Sequence, residues 1–118
     1  FPDADIEIVE AHHNRKVDAP SGTAVMLANS IKEVRPNAEY VYGRGGEAKR
    51  NKNEIGIHAL RMANIVGEHE VYITTESQQL VLRHNAYDRA LFADGAIKAA
   101  RFLIEKEAGL YTMQDMFK

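Results

Sequence analysis

Residues 12–23 read His-His-Asn-Arg-Lys-Val-Asp-Ala-Pro-Ser-Gly-Thr, a dense grouping of side chains that can move protons or hold anions. Histidine is the side chain whose ordinary pKa suits acid–base work near neutrality. His12 and His13 sit side by side at the end of a strand-like pattern, so they point in different directions and can hold different roles. Lys16 follows across a turn and can offer a proton or a positive charge. Gly22 and Thr23 open an apolar helical pattern. A helix N-terminus presents unpaired N–H groups and the positive end of the helix dipole, a seat for carboxylate or phosphate. Gly22 has no side chain, which lets a ligand approach the backbone closely. Together these residues form a cradle for a small dianionic substrate, with proton donors beside it.

Two rival chemistries compete for the same residues. A metal site would use Glu10, His12 and His13, but adjacent strand residues face opposite ways and chelate one ion poorly. Glu10 and His12 share one face, and no third ligand joins them at a regular spacing, so no metal is expected. A hydrolase built on Ser21, a histidine and Asp18 lacks the G-x-S-x-G elbow of such enzymes. A purely structural reading also covers part of the stretch, because Pro-Ser-Gly-Thr is a good helix entrance with Ser21 as N-cap.

The elements that must position this loop are legible on either side. Asp5–His12 alternates Ile6 and Ile8 with Glu7, the period of a half-buried strand. After Pro20, an apolar stripe of Ala24, Leu27, Ala28, Ile31 and Val34 predicts a helix that ends at Arg35-Pro36-Asn37. Residues 40–54 read as a polar, glycine-rich connection carrying Arg44, Lys49, Arg50 and Lys52, most simply a solvated loop. Strands are predicted over 55–62, 70–75 and 79–84, the last two as an antiparallel hairpin. A helix is predicted over 88–107, stopped by Gly109, and a last short helix starts near Thr112. The apolar tail of Met113, Met116 and Phe117 needs something to pack on.

The bulk properties fit one ordinary domain: 118 residues, 45% hydrophobic and 27% charged. A net charge of -2 lacks the basic footprint of a general nucleic-acid binder. No apolar run approaches a membrane span, and no cysteine is present to form a disulfide. No signal-peptide pattern opens the chain, so a cytoplasmic setting is the default expectation. Phe1-Pro2 runs straight into a strand pattern without an initiator Met, and the expectation is a piece of a longer protein.

Glu10 to Ala24, reading EAHHNRKVDAPSGTA, resembles the signature E-x-H-H-x-x-K-x-D-A-P-S-G-T-A of the dihydrodipicolinate reductases. Ile65–Glu70 and the Ala93–Ala96 stretch are also similar to later segments of that family, and the likeness covers essentially the whole chain. The family's Gly-rich dinucleotide loop has no counterpart here; Gly43-Arg44-Gly45-Gly46 precedes a basic stretch instead of an apolar helix.

The resemblance implies that residues 1–118 are the C-terminal substrate-binding and oligomerisation domain of a two-domain reductase, without its N-terminal Rossmann domain. It implies an α+β fold with a mixed sheet of about four strands and flanking helices. It implies NADH or NADPH as cofactor, bound mainly by that N-terminal domain. The implied reaction makes tetrahydrodipicolinate on the diaminopimelate route to lysine, from a small dicarboxylate substrate. His12 and Lys16 match catalytic positions, and His13, Gly22 and Thr23 match substrate-binding positions. The final helices are expected to return to the nucleotide domain, and the family's usual assembly is a homotetramer formed through this domain's sheet. A second reading is a non-catalytic self-association module, because the predicted strands carry apolar residues on both faces, more than one helix layer would cover.

Overall fold

The computed structural model describes residues 1–118, which divide into two compact units, Phe1–Tyr87 and Asp88–Lys118. The first unit holds one five-stranded mixed sheet and one helix. Its elements are β1 (Asp5–His12), α1 (Gly22–Val34), β2 (Glu39–Tyr42), β3 (Glu54–Arg61), β4 (Gly67–Thr74) and β5 (Gln79–Ala86). The strand order is β2-β3-β1-β4-β5. β1 runs parallel to β3, β3 parallel to β2, β1 antiparallel to β4, and β4 and β5 form the expected antiparallel hairpin.

The core follows from strand alternation. Ile6 and Ile8 lie on one face of β1, level with Ile55 and Ile57 on β3 and with Ile73 and Val71 on β4. Ala24 and Ala28 of α1 join this cluster, with Leu27 and Ile31 packed at its margin. Both alanines are fully buried, and small side chains at these points let the helix approach the sheet closely. Ser21 caps α1 as expected: its side chain accepts from the Ala24 N–H. At the far end, the Arg35 N–H bonds back to Ile31 and Lys32 carbonyls, while its guanidinium donates to the carbonyls of Ala4 and Phe1.

One expectation is corrected. The sheet has five strands where about four were expected, because Glu39–Tyr42 forms a short parallel edge strand against β3. Four residues are too few to show a period, and their pairing partner lies outside the local sequence. The stretch that follows is a loop, exposed over nearly all of residues 43–53 as expected, and ion pairs tie it to the sheet. Arg44 pairs with Glu7 and Glu54, Arg50 with Asp5 and Glu7, and Lys52 with Asp3. His58 joins Glu7 as well, at 2.7 Å. Burial would raise the Glu7 carboxyl pKa; hydrogen bonds from His58, Arg44 and Arg50 outweigh it and hold the group below its ordinary value. Gly56 makes room for this network, since a Cβ there would sit 1.8 Å from Glu7 Oε2. Gly43 and Gly46 take positive φ values of 73° and 72°, which favour glycine.

In the second unit, α2 covers Ala90–Ile104 and α3 covers Met113–Met116. The Asp88 side chain accepts from the Ala90 N–H, so helix geometry starts two residues after the predicted boundary. Thr112 and Asp115 form a reciprocal capping box at α3. Met113 and Met116 turn toward Phe102 and Leu103 across a small cleft, and Tyr111 meets the Phe102 ring edge-on at 5.9 Å. The apolar tail thus packs in part on α2, while Phe117 stays exposed.

Ile8 has no exposed surface. Ile8→Ala should lower the unfolding free energy by about 2–5 kcal/mol through lost burial and the cavity left behind. Val17→Ala, at a side chain 97% exposed, should stay within about 0.5 kcal/mol. Urea unfolding of the two variants checks both.

Candidate active site

The strand that carries the core also carries the site. Glu10 and His12 continue the Ile6–Ile8 face of β1, one turn of the pleat further along. Glu10 is 1% exposed, an unusual position for a carboxylate. Four donors surround it. His12 Nδ1 lies 2.6 Å from Oε2, and Arg61 donates from Nη1 at 2.8 Å to Oε2 and from Nη2 at 2.8 Å to Oε1. The Ser21 N–H donates to Oε1 at 2.9 Å. Burial pushes the Glu10 carboxyl pKa up, but the hydrogen bonds from Arg61, His12 and Ser21 prevail and keep it below the ordinary range. Arg61 reaches Glu10 because β1 and β3 pair in parallel with His12 opposite Arg61. Its Nη2 also donates to the Asp18 carbonyl and so pins the loop.

The antiparallel neighbour β4 adds His69, which sits opposite Glu10. His69 Nε2 lies 3.0 Å from Ser21 Oγ, and its ring meets the His12 ring edge-on at 5.1 Å. Burial lowers the His69 pKa most, and the nearby His12, His84 and Lys16 lower it further, against the opposing pull of Glu10. Ser21 Oγ and His69 Nε2 share a hydrogen bond, while the same oxygen accepts from the Ala24 N–H. The Ser21–His69 contact therefore belongs to the helix cap. Ser21 is 2% exposed and holds no outward nucleophile.

The loop between β1 and α1 bonds to itself and to the β3–β4 connection. Lys16 N–H donates to the His13 carbonyl, and Asn14 N–H to the Ala63 carbonyl. Lys16 Nζ pairs with Asp18 at 2.8 Å, and this bond lowers the Asp18 carboxyl pKa. His13 is half-buried just past the strand end. At the helix entry, Ser21 takes the Ala24 and Val25 N–H groups through its side chain and carbonyl. That leaves the exposed Gly22 and Thr23 N–H groups to face a ligand. Thr23 and His69 also line one cavity of about 250 Å³ with Leu27, Val71, Leu82 and His84.

All five residues singled out in the sequence thus lie at one end of the sheet: His12 and His13 at the strand terminus, Lys16 in the loop, Gly22 and Thr23 at the helix entry. Glu10 links the histidine side to the helix side. Arg61 and His69 escaped the sequence reading as site residues. Both stand on other strands, and only the register shows that they face Glu10 and Ser21.

The lowered His69 pKa fixes a pH dependence. The unfolded chain binds a proton at this residue near pH 6.5, above the folded value. Stability should therefore be full above that point and decline as the pH falls through 6.5. His69→Asn should flatten this window. Glu10 acts lower: its contribution is present above 4.5 and is lost as the pH falls through its depressed folded value. Urea midpoints measured from pH 8 down to about pH 2, past the ordinary carboxylate range, check the two windows separately.

Comparison with known proteins agrees with this architecture. The family model described as dihydrodipicolinate reductase, C-terminus, matches residues 1–117. The 4-hydroxy-tetrahydrodipicolinate reductase of Clostridium tetani is 50% identical over 117 residues, covering 98% of this chain and 46% of its own. The same-named protein of Caldanaerobacter subterraneus is 53% identical over 116 residues, covering 97% of this chain and 46% of its own. A solved structure, the dipicolinate-bound dihydrodipicolinate reductase from Paenisporosarcina sp. TG-14, is 32% identical with a TM-score of 0.74, over 98% of this chain and 44% of that one. The chain spans about half the length of the curated relatives it matches. A mixed sheet backed by a helix, a histidine-bearing strand end and a match over nearly every residue lead to one statement: this chain belongs to the dihydrodipicolinate reductase family, whose C-terminal part it matches.

Proposed function

We propose that residues 1–118 form the substrate-binding and acid–base part of a 4-hydroxy-tetrahydrodipicolinate reductase, which makes tetrahydrodipicolinate for diaminopimelate and lysine synthesis. The observation that carries this reading is the gathering of His12, His13 and Lys16 beside the open Gly22 and Thr23 N–H groups at one strand end. A planar ring with two carboxylates suits such a site. One carboxylate takes the Gly22 and Thr23 amides and the Thr23 hydroxyl, where the helix dipole favours negative charge. His13 holds the ring from the loop side. The solved relative from Paenisporosarcina is described as dipicolinate-bound, a ligand of this shape and charge.

NADH or NADPH supplies a hydride to the conjugated C=C/C=N system of the substrate. The remainder of the longer protein holds that nucleotide in this reading, since residues 1–118 carry no Gly-rich dinucleotide loop. As hydride arrives, negative charge builds on the acceptor, and a nearby cation or acid stabilises it. The Lys16 ammonium, steadied by Asp18, gives a proton or positive charge at that point. His12 supplies the second acid–base group, aligned by its strand-end position.

Assembly is a second proposed role, carried by a different observation. Within the first unit, α1 covers one face of the sheet, and the opposite face presents Leu60 and Val81 among charged residues. On β5, Leu80 and Leu82 are also exposed, with relative accessibilities of 44% and 56%. We assign this sheet to a homotetramer interface. The self-association module then describes the same domain and does not compete with the enzyme reading.

In the full-length protein, His12→Ala and Lys16→Ala should each lower kcat by about 10²-fold or more, with circular dichroism unchanged. Near-normal turnover in either would defeat the assignment. Thr23→Ala should chiefly weaken dipicolinate binding, read by calorimetry. The 118-residue chain alone should show no turnover with NADH or NADPH. Light scattering of the full-length protein should give four subunits, and Val81→Lys should shift it toward smaller species.

A further inference from the structure

The Glu10–Arg61 pair does more than fill a buried polar site. We propose that Glu10, held by Arg61, is a positioning residue of the reductase reaction, fixing the His12 ring so that Nε2 is its proton-handling atom. This deepens the reading of His12 as an acid–base group and rests on it.

The argument starts from lone pairs. An ionised carboxylate only accepts hydrogen bonds, and it offers about four acceptor directions. The bidentate Arg61 fork takes one direction on each oxygen. That fork already neutralises the buried charge, so the two directions left over carry the information. One meets His12 Nδ1 at 2.6 Å and the other meets the Ser21 N–H at 2.9 Å. A single carboxylate thus sets both the histidine and the residue that precedes the Gly22–Thr23 amides. Because Glu10 cannot donate, His12 must carry hydrogen on Nδ1, and Nε2 is the nitrogen left for chemistry. Gly67 leaves room beside that nitrogen. A Cβ added to Gly67 would stand 3.3 Å from His12 Nε2, close enough to crowd the ring. A carboxylate that fixes a histidine tautomer in this way supports proton transfer without touching the substrate.

Two measurements on the full-length protein test this. In the wild-type protein, long-range proton–nitrogen NMR of the His12 ring should show hydrogen on Nδ1 and an unprotonated Nε2. An Nε2–H tautomer would overturn the proposal whatever any variant does. Glu10→Gln keeps the volume but can turn an amide N–H toward His12. It should reverse the tautomer and lower kcat about a hundredfold or more, with KM for the dicarboxylate and dipicolinate affinity changed less than about threefold. A kcat within about threefold of wild type in a folded Glu10→Gln protein would refute the role. So would a loss confined to KM. His12→Ala, measured alongside, separates the two readings. Normal turnover there removes the acid–base assignment itself, whereas a dead His12→Ala with an active Glu10→Gln removes only the positioning role.

Discussion

One buried carboxylate organises the candidate-site end of the sheet. Glu10 lies in the same face as the isoleucine core, where an unpaired charge would be strongly destabilising. It is tolerated because donors converge on it from three separate places: the end of β1, the entry to α1 and the end of β3. Each donor is thereby fixed in return. His12 gains an orientation, Ser21 a backbone anchor, and Arg61 a reason to reach across the strand and hold the Asp18 carbonyl. The loop between β1 and α1 is therefore ordered by charge as well as by its capping serine.

The mixed sheet makes this convergence possible. β3 runs parallel to β1, so the two strands end together and Arg61 arrives level with His12. β4 runs the other way, so it begins where β1 ends, bringing Gly67 and His69 to the same place. A sheet with only one strand direction would bring strand ends alone to this edge. The opposite face carries a second network, more open to solvent. Glu7 gathers His58, Arg44 and Arg50, and this ties the β2–β3 connection to the strand it passes. One strand thus carries a carboxylate hub on each face, Glu10 toward the helix and Glu7 away from it.

Much of the framework was legible in the sequence. The alternation of Ile6 and Ile8 gives β1, the Ala24-Leu27-Ala28-Ile31 stripe gives α1, and Ser21 as N-cap follows from the Pro-Ser-Gly-Thr entrance. The β4–β5 hairpin, α2 and the short α3 are equally local features. The fifth strand was hidden because four residues carry no period, and the ion pairs of the 43–53 loop were hidden because Arg44 and Arg50 meet Glu7, more than thirty residues away in sequence. Glu10 entered the sequence reading as a poor metal ligand and as the first residue of the family motif, not as a hub. Its true neighbours are a matter of register.

By itself the sequence determined the elements, the helix entrance and the family motif from Glu10 to Ala24, all properties that neighbouring residues impose on one another through periodicity, capping and side-chain chemistry. Only the tertiary structure decided that Arg61 and His69 join Glu10, His12 and Ser21. Strand pairing brings together residues some fifty positions apart in the chain, and which residue meets which depends on the direction and register of each pairing, which no local pattern encodes.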